Sequence, residues 1–240
     1  TAAPGSAPTI REVMGLDPAT PLMVYSGGVQ AARGVDTAVA AMPLLPAVHL
    51  AIVAVPHTRT IAVRRLVDQA RDLGVLDRVH LLEPVPPHEV ASFLSTADVG
   101  LIPIRHFGSH EMALTNKLFE YLHAGLPVVV SDCTAQVEFL EEHPVGLVHR
   151  AGDAHDLARA VTDVLADRTR YAQRCTDPEL LDTFSWEGQE RALLGVYQGL
   201  LPWQPVLPAG QPFAVPAEEP RPRTDSAVLA IGPANSAGQG

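Results

Sequence analysis

Thr115-Asn116-Lys117-Leu118-Phe119-Glu120-Tyr121-Leu122-His123-Ala124-Gly125-Leu126-Pro127-Val128-Val129-Val130-Ser131 reads as a helix start, a helix stop and a buried strand in one span. Thr115 or Asn116 offers a side-chain oxygen to the unpaired N–H groups of a first helical turn. Gly125 suits the left-handed residue that ends the helix, and Pro127 prevents it from resuming. Val128 to Val130 is an apolar run without alternation, as expected of a parallel strand covered on both faces. In sheets of that kind helix N-termini face the ligand crevice and favour anions. The cation at this one is Lys117, the only lysine among 17 Lys and Arg residues. One turn on stands Glu120, an acceptor-only carboxylate suited to a pair of sugar hydroxyls. A cation for phosphate beside a carboxylate for ribose points to a nucleotide-diphosphate pocket. The plain alternative is an amphipathic helix with both charges in solvent.

Working outward, the chain alternates strand-like and helix-like segments. The pattern predicts a short helix over Thr9–Leu16, a strand over Leu22–Ser26, a helix over Gly34–Met42 and a strand over His49–Val55. A helix over Thr60–Leu73 closed by Gly74, a strand over Val79–Leu82 and a helix from Pro87 to Thr96 follow. Val99–Ile104 is the next strand and Arg105–Ala113 a polar loop, in which Gly108 argues against helix. After the central stretch come a helix around Val137–Glu142, a strand over Gly146–His149 and a helix over Ala154–Ala166. Residues 169–182 are undecided, and Ser185 caps a last helix, Trp186–Leu201. This alternation implies an α/β fold, a doubly wound, Rossmann-like parallel sheet of about six strands. Residues 1–8 read as a loose lead and 9–201 as the domain. The Pro-, Ala- and Gly-rich 202–240 reads as a disordered tail, unable to bury enough apolar surface to offset its ordering entropy.

The net charge of −10 and the lack of a basic stripe exclude nucleic-acid binding as a main activity. No apolar run is long enough to span a bilayer, and no signal peptide is evident. Cys133 and Cys175 match no metal or redox spacing and read as free thiols in a reducing, cytoplasmic compartment. The chain opens on Thr1 rather than Met, which reads as a piece of a longer protein.

The second crevice-facing element is Ser26-Gly27-Gly28-Val29-Gln30-Ala31-Ala32-Arg33-Gly34. Glycines directly after a first strand let backbone N–H groups approach a ligand, and Arg33 can bond a diphosphate. Alternatively this is a plain β-turn-α connection. A dinucleotide fingerprint is excluded, because the glycines are adjacent and the second strand ends Val55-Pro56-His57 without an acid. His106 and His110 would share a metal only on a helix, so no metal site is expected. No Gly-x-Ser-x-Gly hydrolase elbow is present.

Asn116-Lys117-Leu118-Phe119-Glu120-Tyr121, with Gly125 and Pro127-Val128-Val129, resembles the donor-site signature of retaining GT-B glycosyltransferases of the family 4 type. The resemblance covers roughly residues 10–201, with Ala91–Pro103 matching a helix-and-strand segment of the family. It implies the C-terminal, donor-binding half of a GT-B enzyme, a bacterial-type transferase of hexosyl or related groups. The partner half would be a second Rossmann-like domain carrying much of the acceptor site.

On this resemblance Arg33 and Lys117 neutralise the leaving diphosphate with the Gly27 and Gly28 amides, Thr115 and Asn116 opening the helix toward it. Glu120 holds the ribose and Val85 covers the base, although Leu82–Pro87 reads equally as a ligand-free turn. The family is generally metal-independent, so no cofactor is expected beyond the nucleotide-sugar co-substrate. The acceptor is a glycan, a lipid or a small molecule, and the other domain would supply any peripheral membrane contact.

Two departures stand out. Gly28 occupies the family's first cation position. The first acid of a Glu-x7-Glu pair falls on Met112, with Glu111 one residue away and a weak candidate for the donor sugar. The wall around Ser131-Asp132 and Glu138 is unassigned. Asp98 reads as a local bridge and Trp186 as a core or interdomain anchor. Two other functions stay open, a nucleotide-sugar-binding module without catalysis and a sugar-nucleotide epimerase, the latter disfavoured by the Asn-Lys-Leu-Phe-Glu-Tyr wording.

Overall fold

Runs of Val, Ile, Leu and Ala between Pro, Gly and Asp punctuation pair side by side because each is apolar on both faces. The computed structural model describes residues 7–200. The loose lead and disordered tail expected from the sequence lie outside the described residues, except for residues 7 and 8. In order the elements are α1 (Ile10–Met14), β1 (Leu22–Gly27), α2 (Val35–Ala41), β2 (His49–Ala54), α3 (Ile61–Asp72) and β3 (Val79–Leu82). Then come α4 (Val90–Leu94), β4 (Val99–Ile102), α5 (Gly108–Met112), α6 (Asn116–His123), β5 (Val128–Ser131) and α7 (Thr134–Glu142). The last are β6 (Gly146–His149), α8 (Ala154–Ala166), α9 (Arg168–Cys175), α10 (Pro178–Thr183) and α11 (Trp186–Leu200). The compact unit extends to Val196, and of the following segment only the end of α11 is described.

The six strands are all parallel in the order β3-β2-β1-β4-β5-β6. Strand order reverses between β1 and β4, which opens a crevice at their carboxyl ends. Successive residues of β1 serve opposite faces. Met23 and Tyr25 pack into one core with α2, α3 and α8. Leu22 and Val24 pack into the other with residues of α1, α4, α6, α7 and α10.

Local signals account for several helix ends. Glu12 accepts from the backbone N–H of Thr9 at 2.8 Å, Thr60 Oγ1 from Val63 N–H at 3.1 Å, and Asp153 from the first turn of α8. The predicted stop of α6 forms as a Schellman pair: Gly125 has φ of 70°, Leu126 N–H donates to Tyr121 O at 2.9 Å and Gly125 N–H to Leu122 O at 2.9 Å.

Several expectations need correcting. The loop 105–113 contains α5, which begins at the very glycine thought to forbid it; Phe107 O accepts from His110 and Glu111 N–H groups and closes the turn. Helix α7 starts three residues earlier than predicted. The segment from Pro87 opens as a single 3₁₀ turn before α4. The undecided 169–182 divides into α9 and α10, separated by Asp177, whose carboxylate caps α10 ahead of Pro178. Ser185 Oγ does accept from Gly188 N–H, at 2.9 Å. Trp186, however, is 88% exposed and anchors no core of this unit.

Candidate functional site

Two tyrosines shape the site: Tyr121 holds α6 to the sheet at its switch point, and Tyr25 shapes the turn after β1. Tyr121 is fully buried, and its hydroxyl accepts the Ser26 N–H of β1 at 2.9 Å. Its ring fills the space over Gly100 of β4, where a Cβ would come within 2.5 Å of it. Tyr25 donates its hydroxyl to Gly28 O and shapes the turn after β1. The N-terminal turn of α6 is thereby fixed at the carboxyl ends of β1 and β4.

Lys117 lies half-buried in this corner. Its ammonium passes over Gly27, where an added Cβ would be 2.6 Å from Nζ, and stands 5.2 Å from the Tyr25 ring centroid. Gly27 itself has φ of 134°, a conformation that L side chains rarely adopt. Burial, with the nearby Arg33 guanidinium, pulls the Lys117 pKa down to about 8, and Glu120 opposes that shift. Burial raises the Glu120 carboxyl pKa, against the pull of Lys117. Arg33 lies partly buried in the turn after β1. Among the described residues, none of Arg33, Lys117 and Glu120 forms a salt bridge. Two cations and one carboxylate therefore share a partly desolvated corner with no strong internal pairing, which leaves the cations open to an anion.

Thr115 occupies the cap position of α6, but its hydroxyl makes no capping bond and is buried without a partner. Its backbone carbonyl instead takes Leu118 N–H at 3.0 Å. Asn116 is exposed at the helix start, and Gly28 lies in the turn beside Tyr25. Val85 is half-buried against the core face that includes α6.

Glu111 is engaged elsewhere. One oxygen meets His106 Nδ1 at 2.6 Å, and the other accepts the N–H and hydroxyl of Thr134, each at 3.0 Å. Glu111 thus caps α7. The Thr134 N–H and His106 hold its pKa down to about 2, and the same carboxylate raises that of His106. His106 Nε2 meets Asp132 at 3.0 Å, whereas His110 Nδ1 donates to Arg105 O at 2.8 Å, so the two histidines do not converge. Glu138 is exposed on α7. Asp98 is a structural clasp, bonded to Arg11 at 2.6 Å, to Arg168 at 2.6 Å and to Leu22 N–H at 2.7 Å.

Sequence reasoning missed Tyr25, Tyr121 and the His106–Glu111–Asp132 chain. Both tyrosines look like ordinary core residues in the text, and no fixed spacing links 106, 111 and 132.

Residues 20–167 match the family model described as Glycosyl transferases group 1. The D-inositol 3-phosphate glycosyltransferase of Xylanimonas cellulosilytica is 30% identical over 190 residues, 78% of this chain and 44% of that protein. The chain thus spans less than half the length of this curated relative. Among solved structures, sucrose-phosphate synthase from Thermosynechococcus elongatus aligns with a TM-score of 0.66 and 23% identity, over 80% of this chain and 48% of that one. Anabaena HepE in complex with UDP-glucose aligns with a TM-score of 0.61 and 18% identity, over 78% and 51%. The fold is the Rossmann-like α/β sheet of GT-B proteins. By its sequence over residues 20–167, the chain belongs to the group 1 glycosyl transferases.

Proposed function

We propose that this chain is the C-terminal, donor-binding half of a retaining, family 4-type GT-B glycosyltransferase. It would bind a nucleotide-diphosphate sugar at the carboxyl ends of β1 and β4. The observation that carries this reading is the corner where Lys117 lies over Gly27, with Arg33 and Glu120 beside it. Negative charge grows on the departing diphosphate as the sugar–phosphate bond breaks. Fixed cations and amides aimed at that charge lower the barrier because they need no reorganisation. Lys117, Arg33 and the Gly27 and Gly28 N–H groups take this role, and Lys117 replaces the cation that Gly28 lacks. Glu120 accepts the ribose hydroxyls, and Val85 lies along the base.

On this reading protein cations stabilise the leaving group, and transfer needs no divalent metal. A second Rossmann-like domain of the same protein supplies much of the acceptor site, for a glycan, lipid or small molecule. The protein works in the cytoplasm, with any peripheral membrane contact made by that other domain. Among the described residues no helix is long and apolar enough to cross a membrane.

A second reading, nucleotide-sugar binding without turnover, is favoured by Gly28 at the first cation position and by the Glu111 carboxylate being tied to His106 and Thr134. Calorimetry with UDP and UDP-glucose tests the donor site common to both. Glu120→Ala is expected to weaken binding by about 1–3 kcal/mol through lost hydrogen bonds. Unchanged affinity in Glu120→Ala removes that residue from the site.

A further inference from the structure

The segment after β4, with its short helix α5, brings His106 and Glu111 against Cys133 in the turn after β5, more than twenty residues further along the chain. The ligating atoms these three offer, an imidazole nitrogen, a carboxylate oxygen and a sulfur, lie within 4.8 Å of one another. We propose that they form a binding site for a zinc-class divalent cation, which fastens the loop after β4 to the turn after β5.

The donor set decides the class of ion. Calcium and magnesium take oxygen ligands, whereas one sulfur, one nitrogen and one oxygen suit zinc. Tetrahedral zinc with bonds of ~2.0–2.3 Å sets its ligand atoms roughly 3.3–3.6 Å apart. His106 Nδ1 and Glu111 now stand at 2.6 Å, so a cation takes the place of the proton between them and opens the pair slightly. The sulfur has to draw in as well, since the three atoms now lie within 4.8 Å of one another.

Some of the groups around the trio suit a metal. With Nδ1 on the cation, Nε2 carries the proton, and Asp132 already sits 3.0 Å from Nε2. This is the carboxylate–histidine–metal arrangement that orients a ligating imidazole. The second oxygen of Glu111 stays on Thr134, so α7 keeps its cap. Behind the sulfur, Ser131 Oγ donates to Cys133 Sγ at 3.6 Å and is itself bonded by Gln136 Nε2 at 3.0 Å. Gln136 is 1% exposed, and its Oε1 has no hydrogen-bond partner. Entry is from solvent, since the His106 and Glu111 side chains are 54% and 31% exposed. None of these ligands is assigned to the diphosphate or the ribose, and Glu111 on the metal is not free for the donor sugar.

The test is titration of the metal-free chain with Co²⁺, read by absorption. One equivalent is expected to give a thiolate-to-metal charge-transfer band that Zn²⁺ abolishes. Cys175→Ser should keep the band, and Cys133→Ser should lose it. His106→Gln changes a half-exposed side chain and should leave the fold intact by circular dichroism while lowering Zn²⁺ affinity tenfold or more. Asp132→Asn, a positioning change, should lower it about 10–100-fold. No charge-transfer band in the folded wild type, a band that survives Cys133→Ser, or equal zinc affinity in His106→Gln would each overturn the site.

Discussion

Lys117 has the least comfortable position of any charge in the site. It is half-buried over Gly27, and burial, helped by the Arg33 charge, lowers its pKa to about 8. A free lysine titrates near ~10.4, so between about 8 and ~10.4 the unfolded chain binds more protons than the folded one. In that window the stability of the ligand-free protein should rise with pH, and below it the buried charge is a standing cost. Lys117→Met is therefore expected to raise unfolding stability at pH 7 by about 1–3 kcal/mol while sharply weakening UDP binding. Urea titration and calorimetry on the same sample check both halves. Binding by the wild type should also weaken as pH rises past about 8, because the anion then requires a proton the free site has lost. A flat affinity profile across that range would detach Lys117 from the diphosphate. The sequence revealed Lys117 as the only lysine but not the depression of its pKa, which comes from burial in the folded corner and from Arg33 in another element.

At the scale of elements, helix stops marked by glycine were legible, helix starts less so, and inter-element clasps least. The Schellman stop of α6 follows from Gly125 and Pro127 alone, because few residues tolerate a positive φ and proline cannot continue a helix. The start of α6 was only half legible. Thr115 takes the cap position, yet its hydroxyl is buried without a partner. Glu111 caps α7 from another helix, α5, a role that no local pattern encodes. Asp98 shows the same limit, because its partners on α1, α9 and the start of β1 are remote in the chain. Arg11 is itself buried, and it also bonds the carbonyls of Thr96, Asp17 and Thr20. Asp98→Ala would leave that guanidinium uncompensated and should cost about 3–5 kcal/mol of stability. Donor affinity below the unfolding transition should not change. A loss under 1 kcal/mol in chemical denaturation would mean that the clasp is solvated.

Over the whole molecule, alternation of apolar strands with amphipathic helices was enough to specify a doubly wound parallel sheet. If the proposed division of labour holds, the isolated chain should bind UDP-glucose yet transfer no glucose to any acceptor, because much of the acceptor site lies in the other domain. Radiolabelled donor with chromatographic separation of products reads this, and detectable transfer would refute it. By itself the sequence determined the fold class, the strand count and the helix stops, since burial period and backbone stereochemistry act over a few consecutive residues. It also marked Arg33, Lys117 and Glu120 as the groups to watch. Only the tertiary structure decided that β1 and β4 are neighbours and that Tyr121 locks α6 across them. The same holds for Glu111 being drawn to α7 and His106, and for the exposure of Trp186. The physical reason is that strand order and side-chain pairing depend on contacts between segments distant in the chain, which a periodic pattern cannot encode.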